Sequence, residues 1–167
     1  MYESTSIDLG WIAQDQITGF KGVVTTVGAH LSGCTRIGMY RLGDVNNPPD
    51  SKGAEQFFHE GQLEIVEENT RWSHFEKMTS VDYDLGERVR DRATEFEGRV
   101  HIVNFKLFNC PQALVYEIGG GVDDSRWVDD PFVVPQGDHI ETPDQSGSEQ
   151  TTGASGSDSR TENLSKN

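Results

Sequence analysis

Five cationic side chains lie close together in the second half of the sequence: Arg88, Arg90, Arg92, Arg99 and Lys106. The first three occupy alternate positions of one predicted strand. Because successive side chains of a strand point to opposite faces, these three arginines would project from one face. We call the five residues the arginine face. It suits docking of an acidic partner, and the alternative interpretation is local charge balance for four neighbouring carboxylates, Glu87, Asp91, Glu95 and Glu97.

Patterns typical of catalysis and of metal binding are missing from the sequence. There is no G-x-S-x-G motif, no glycine-rich phosphate loop ahead of a helix and no H-E-x-x-H. The histidines and the two cysteines lack the C-x-x-C or H-x-x-x-H spacing of a zinc site. We expect Cys34 and Cys110 to be small buried hydrophobic residues. The sequence therefore predicts a protein that is not an enzyme and that holds no cofactor and no metal.

The composition is strongly acidic. The 28 carboxylates against 14 lysines and arginines give a formal charge of −14, which argues against binding of nucleic acid or of an anionic membrane surface. Such a composition is typical of proteins from extreme halophiles, because molar salt screens the repulsion between surface carboxylates. The alternative is an ordinary acidic protein with an acidic tail.

The chain contains an internal repeat. Placing residues 8–40 over residues 84–116, at a constant offset of 76, aligns 33 positions without a gap, and 12 of them are identical. Both copies contain D-x-x-T-x-F-x-G-x-V, in which Asp and Thr can cap a tight turn and Gly permits a bulge or a positive φ. The predicted turn residues are Asp15, Thr18 and Gly22 in the first copy and Asp91, Thr94 and Gly98 in the second.

Each copy contains five short segments with strand-like patterning, and a short turn precedes the last one. Five strands in about 60 residues predict an all-β protein made of two tandem small SH3-like β-barrels. We place the first barrel at residues 6–68, a linker at 69–80 and the second barrel at 81–135. Residues 43–53 are predicted to be a loop, and residues 136–167 a Ser/Gly/acid-rich tail that is disordered or extended.

Aromatic residues are expected to hold these units together. Trp72 and Phe75, in the linker, are expected to pack the two barrels against each other. Most of the others are expected to be core residues, because a barrel of this size needs several large side chains: Trp11, Phe57, Phe58, Phe105, Phe108, Trp127 and Phe132.

Both copies resemble a group of small phage-encoded proteins with the pattern L-G-D-x-V-x-D-x-x-T-G-F-x-G-x-V, a later N/S-G-C and a closing W-F-D-E-x-x-L. The first copy has L-G, D, T-G-F, G, S-G-C and F-F-H-E-G-Q-L between Leu9 and Leu63, and the second has the corresponding residues between Leu85 and Asp130. Two positions of the second copy depart from the pattern, with Glu95 at the turn glycine and Asn109 before the cysteine. The resemblance implies a viral source rather than a mechanism.

Together these features predict a non-catalytic structural or accessory virion protein of a tailed virus of a halophilic archaeon. A head decoration, a vertex protein or a tail-associated protein would each fit. We expect it to be made in the host cytoplasm and to act in the virion through contacts with other capsid or tail subunits and with further copies of itself, without membrane or nucleic acid. The alternative is an intracellular viral binding module that captures a host factor or a small ligand in a deep polar pocket.

Overall fold

The computed structural model describes residues 6–42, 55–121 and 123–139. They form ten strands and two short 3-10 turns, Glu60–Gln62 and Asp130–Phe132. The strands are β1 (Ile12–Asp15), β2 (Lys21–His30), β3 (Thr35–Arg41), β4 (Gln56–His59), β5 (Leu63–Glu67), β6 (Glu87–Asp91), β7 (Glu97–Lys106), β8 (Gln112–Glu117), β9 (Ser125–Asp129) and β10 (Val133–His139). All belong to one open antiparallel sheet, which confirms the all-β prediction.

The sheet repeats one strand order. In the first half the neighbours run β5-β1-β2-β3-β4, and in the second half they run β10-β6-β7-β8-β9. In both halves a 3-10 turn separates the last two strands of the unit in sequence. The repeat in the sequence is therefore also a repeat of strand pairing, and we call the two units repeat one and repeat two.

The two repeats are joined by direct pairing of β2 with β7, which we call the seam. Thr26 lies opposite Lys106, Gly28 opposite Asn104 and His30 opposite Ile102. Because the two copies are offset by 76 positions, Gly28 and Asn104 are equivalent residues. The same offset makes Thr26 equivalent to Ile102 and His30 equivalent to Lys106, so these two pairs are related to each other. The seam is thus self-complementary, with a pseudo-two-fold axis that passes between Gly28 and Asn104.

Six strands run without a break across the seam, in the order β4-β3-β2-β7-β8-β9. Residues that lie opposite each other in antiparallel strands share a face, so one face carries the fully buried Val27, Val103 and Phe105. The other face carries Gly28, His30 and their cross-strand neighbours. One side of this six-stranded region therefore packs in the core. On the other side Thr26 is buried and bonds to Glu55, whereas His30 is partly exposed.

Two glycines explain part of the identity between the repeats. A Cβ atom on Gly22 would overlap the carbonyl oxygen of Tyr40, and one on Gly98 would overlap the carbonyl oxygen of Tyr116. Each glycine thus permits close approach of β2 to β3, or of β7 to β8, at a tyrosine that is itself identical in the two copies.

The expectation for the aromatic residues is wrong for about half of them. Phe105 is fully buried, Trp11 and Phe58 pack partly buried against the core, but four others are 44–49% exposed: Phe57, Phe108, Trp127 and Phe132. On β4 and β9 the reason is strand alternation, because Phe57 and Trp127 precede core-facing residues and must point outward. Phe108 and Phe132 lie outside the strands, after β7 and at the end of the second 3-10 turn.

The cysteines and the end of repeat two also differ from expectation. Cys34 is exposed and Cys110 is partly exposed, because they lie beyond the ends of β2 and β7, outside the strands. Neither cysteine forms a disulfide. Strand β10 continues past residue 135, and its His139 lies opposite Glu87 on β6. Most of the predicted tail, residues 140–167, and the predicted loop at 43–53 lie outside the described residues.

Candidate functional site

The repeated aspartates are engaged in turns. Asp15 Oδ2 accepts hydrogen bonds from the Thr18 backbone N–H at 2.8 Å and from its hydroxyl at 2.5 Å. Asp91 accepts the Thr94 hydroxyl at 2.6 Å and the Ala93 N–H at 2.9 Å. The threonine hydroxyls are the main cause that holds the pKa of both carboxyls below its usual range. These aspartates are ionised turn-forming groups, and each lies in its own repeat.

The two turns share their backbone–backbone hydrogen bonds although the residue at the left-handed position differs. Gly19 donates its N–H to the Asp15 carbonyl and Glu95 donates to the Asp91 carbonyl, both at 2.8 Å. Gly19 has a φ of 74° and Glu95 a φ of 61°, and Glu95 is the only non-glycine residue with a positive φ in the described chain. Repeat two therefore keeps the turn although a side chain here is strained.

Every member of the arginine face has a partner within the chain. Arg88 contacts Glu97 at 2.6 Å, Arg90 contacts Glu95 at 2.7 Å and Arg99 contacts Asp138 at 3.0 Å. The hydrogen bond to Glu97 raises the pKa of Arg88.

The remaining two members also bond internally. Arg92 donates to the Pro131 carbonyl at 2.8 Å, and Lys106 donates to Gln112 Oε1 at 2.6 Å. Of the two interpretations of the arginine face, these contacts favour local charge balance over docking.

The linker aromatics occupy different environments. Trp72 is buried in the core, and its backbone lies against Gly10 of repeat one. The Arg71 guanidinium lies 4.5 Å from the Trp72 ring centroid. Phe75 is 51% exposed and makes an edge contact with Phe108 of repeat two, with ring centroids 5.7 Å apart. Phe75 thus contacts repeat two, and Trp72 lies against repeat one.

A shallow groove of about 260 Å³ crosses the seam on its solvent-accessible face. We call it the seam groove, and it is lined by residues of both repeats: His30, Arg36, Phe57, Ile102, Asn104 and Trp127. Phe57 lies opposite Gly38, and Trp127 lies opposite Leu114. Gly38 and Leu114 are equivalent residues because they are 76 positions apart in the sequence. Phe57 and Trp127 are therefore equivalent residues, and they are 48% and 49% exposed.

The charges beside the groove differ between the repeats. In repeat two Lys106 bonds to Gln112, and the Gln112 amide donates to Asp129 Oδ1 at 2.6 Å. The equivalent residues of repeat one are His30, Arg36 and His59, among which there is no carboxylate. Burial, together with the charges of Arg36 and His59, lowers the pKa of His30.

The sequence alone does not predict the seam groove. The available signal was the pair of adjacent apolar residues at the end of each repeat, Phe57-Phe58 and Trp127-Val128. On a strand one member of each pair must point away from the core. Which outward residues come together depends on the β2–β7 pairing, and the repeat pattern does not contain this information.

A larger cavity, of about 570 Å³, lies entirely in repeat one. Residues 18–21, Arg41, Leu42 and Gln56 line it.

Among residues 6–42, 55–121 and 123–139, no three His, Cys, Asp or Glu side chains are grouped so that they could hold a metal ion. None of the helices in that part of the chain has the length and apolar character needed to cross a bilayer. Comparison of the chain with protein-family models, with curated proteins and with solved structures found no match.

Proposed function

We propose that this protein is a non-catalytic structural or accessory virion protein that acts through protein–protein contacts. The observation that carries the proposal is the pair of half-exposed aromatic residues, Phe57 and Trp127, at equivalent positions on one continuous sheet. Exposed aromatic side chains on a rigid surface are typical of protein interfaces, where they supply large contact area at little entropic cost.

We further propose that each repeat is an SH3-like barrel. Its support is the strand order β5-β1-β2-β3-β4, found again as β10-β6-β7-β8-β9, with a 3-10 turn before the last strand. The buried residues of each repeat are contributed by all of its central strands, as a small barrel requires. We therefore expect the backbone of residues 8–40 to superpose on that of residues 84–116.

The viral and halophilic parts of the proposal rest on the sequence. The phage-like pattern occurs in both copies, and the formal charge of −14 is typical of proteins that fold in molar salt. In the virion we expect contacts with capsid or tail subunits and with further copies of this chain.

The alternative, an intracellular binding module for a host factor or small ligand, would be supported by a deep enclosed site. The seam groove is shallow and open, and two aromatic rings and Ile102 supply most of its lining. This shape fits a segment of another protein better than an enclosed small molecule.

Mass spectrometry of purified virus particles tests the proposal directly. We expect the protein at a copy number comparable to that of other structural proteins, both before and after washing in high salt. Abundance in infected cells combined with absence from particles would overturn the virion assignment in favour of the intracellular alternative.

The halophilic part has a separate test. Because screening relieves repulsion among the carboxylates, we expect the Tm to rise as KCl is increased from about 0.1 M to molar concentrations. A Tm that is constant or falls with KCl would contradict this part alone.

A further inference from the structure

Arg36 differs from the other arginines that the structure describes. Seven of the eight contact a carboxylate, a carbonyl oxygen or an aromatic ring: Arg41, Arg71, Arg88, Arg90, Arg92, Arg99 and Arg126. Arg36 has no such partner among the described residues, although it lines the seam groove. In a chain with twice as many acidic as basic residues, an arginine without an acidic partner is unexpected.

The equivalent positions of repeat two show what is missing. In repeat two, Lys106, Gln112 and Asp129 are connected by hydrogen bonds, from Lys106 to Gln112 and from Gln112 to Asp129. In repeat one the acidic end of this chain is replaced by His59, which lies opposite Arg36. The burial and neighbouring charge that lower the pKa of His30 favour its neutral form. The Glu55 carboxylate lies on the same face, over Gly38, but it accepts hydrogen bonds from Thr25 and Thr26 and forms no ion pair with Arg36. Arg36 is thus a fixed positive charge of the groove without an ion-pair partner among the described residues, and a carboxylate from outside could pair with it.

The remaining groove residues suit a peptide. Phe57, Ile102 and Trp127 provide apolar walls. The Asn104 side-chain oxygen lies directly over Gly28, where a Cβ atom would come within 2.6 Å of it. This amide makes no hydrogen bond to another described residue, so its donors and acceptor are available to the backbone of an extended segment.

We propose that the seam groove binds an extended segment of a neighbouring protein in which an apolar side chain is adjacent to an Asp or Glu. The apolar side chain would pack on Phe57 or Trp127, the carboxylate would pair with Arg36, and the backbone would bond to Asn104. The identity of this neighbour as a virion subunit rests on the proposed function, but the chemistry of the segment does not.

The dimensions set the length of the segment. Six strands spaced by about 4.8 Å span at most about 24 Å from β4 to β9 along the sheet. An extended peptide advances about 3.3 Å per residue, so a segment of about seven residues is long enough to cross the groove. A cavity of about 260 Å³ accommodates only the side chains that point into it.

Three synthetic heptapeptides test the proposal, blocked at both ends: G-S-L-D-L-S-G, G-S-L-N-L-S-G and G-S-A-D-A-S-G. The second removes only the charge and the third removes only the apolar groups. The readout is the NMR signal of the Trp127 indole N–H in the full chain at molar KCl. The indoles of Trp11 and Trp72 serve as internal references, and Trp127→Phe identifies the signal. We expect saturable binding of the first peptide and a Kd at least about fivefold higher for each of the others.

Variants show whether Arg36 recognises the charge. Arg36→Gln should raise the Kd of the Asp peptide about fivefold and leave that of the Asn peptide unchanged, since only the first loses an ion pair. Phe57→Ser should weaken all three peptides. The matched controls are Arg126→Gln and Phe132→Ser, which change an exposed arginine and an exposed aromatic residue outside the groove. Neither should change any Kd.

Several outcomes would overturn the proposal. These are no saturable Trp127 shift, equal affinity for the Asp and Asn peptides, an Arg36→Gln effect that is the same for both, or tighter binding of an oligothymidylate than of the Asp peptide. If the peptide results hold but particles lack the protein, the proposed function fails and this inference stands. If particles contain the protein but the peptides do not bind, the reverse is true.

Discussion

The turn at residues 15–20 of repeat one and the turn at residues 91–96 of repeat two share their backbone–backbone hydrogen bonds but have different residues at the left-handed position. In both, the aspartate N–H donates to the carbonyl of the phenylalanine five residues later, at 2.8 Å. Gly19 takes its left-handed conformation without a side chain, whereas Glu95 takes it with one. The comparison teaches that the Asp–Thr bonds and the strand ends fix this turn, and that the glycine only makes it easier.

The same distinction applies to the repeats as wholes. Some identical residues form turns or permit backbone approach, as Asp15 and Gly22 do, and others lie in the core, as Val27 and its equivalent Val103 do. Core residues also differ, since the buried Ile37 is equivalent to Ala113. On the outer surface, repeat two has ion pairs on β6 and β7 that repeat one does not form. The turns and the close strand approaches are thus shared, whereas core packing and surface charge have diverged.

The largest effect is expected at the close approach of strands. Gly22→Ala or Gly98→Ala would push a methyl group into a carbonyl oxygen, so we expect each to destabilise the protein by about 3 kcal/mol. Chemical denaturation at fixed molar KCl measures this. If one variant is tolerated and the other is not, the two repeats do not share the packing requirement that their identity indicates.

The second-largest effect is expected on the stability of the protein at low pH. Because the pKa of Asp15 and of Asp91 is lower in the folded protein, ionisation of each contributes stability at pH values above the ordinary pKa of about 3.8. This contribution is lost as pH falls through the folded-state pKa. We expect the double variant Asp15→Asn, Asp91→Asn to show a weaker loss of Tm than the parent chain between pH 5 and 3. An identical pH profile would show that these carboxylates do not determine acid stability.

A smaller effect should distinguish the two turns. Glu95→Gly relieves a left-handed side chain and should stabilise the protein by up to about 1 kcal/mol, while Gly19→Glu should destabilise it by about the same amount. Glu95→Gly also loses the ion pair with Arg90, but this pair is exposed and its loss offsets little of the stabilisation. Denaturation midpoints of the two variants give the comparison, and a change of the same sign in both would contradict it.

The smallest effect is expected on the arginine face. Replacing Arg88, Arg90 and Arg92 together by Gln should change the Tm less than Glu95→Gly does, because exposed ion pairs contribute little and salt screens them further. Incorporation into particles should be unchanged if the face only balances local charge. Loss of assembly with an intact fold would instead support the docking interpretation.

The sequence is a good guide to the local structure. Strands with alternating residues, such as those around Val89, and the Asp–Thr turns depend on neighbours within a few positions, so their place can be predicted. The seam cannot be predicted, because the pairing of β2 with β7 depends on residues 72–80 positions apart and on which strand edge remains open. The groove depends on the seam, so Phe57 and Trp127 could be assigned to the core from composition although they point outward.

The self-complementary seam also affects the direction in which a bound segment lies. Two separate, identical copies joined in this way would present the same residues on both sides of the axis, so a peptide could bind in either orientation with equal energy. Here the two copies belong to one chain and their residues differ. The residue equivalent to Arg36 is Gln112, and the residue equivalent to Asn104 is Gly28. Covalent linkage has therefore allowed a symmetric junction to acquire polarity, and it gives a bound chain a defined head and tail.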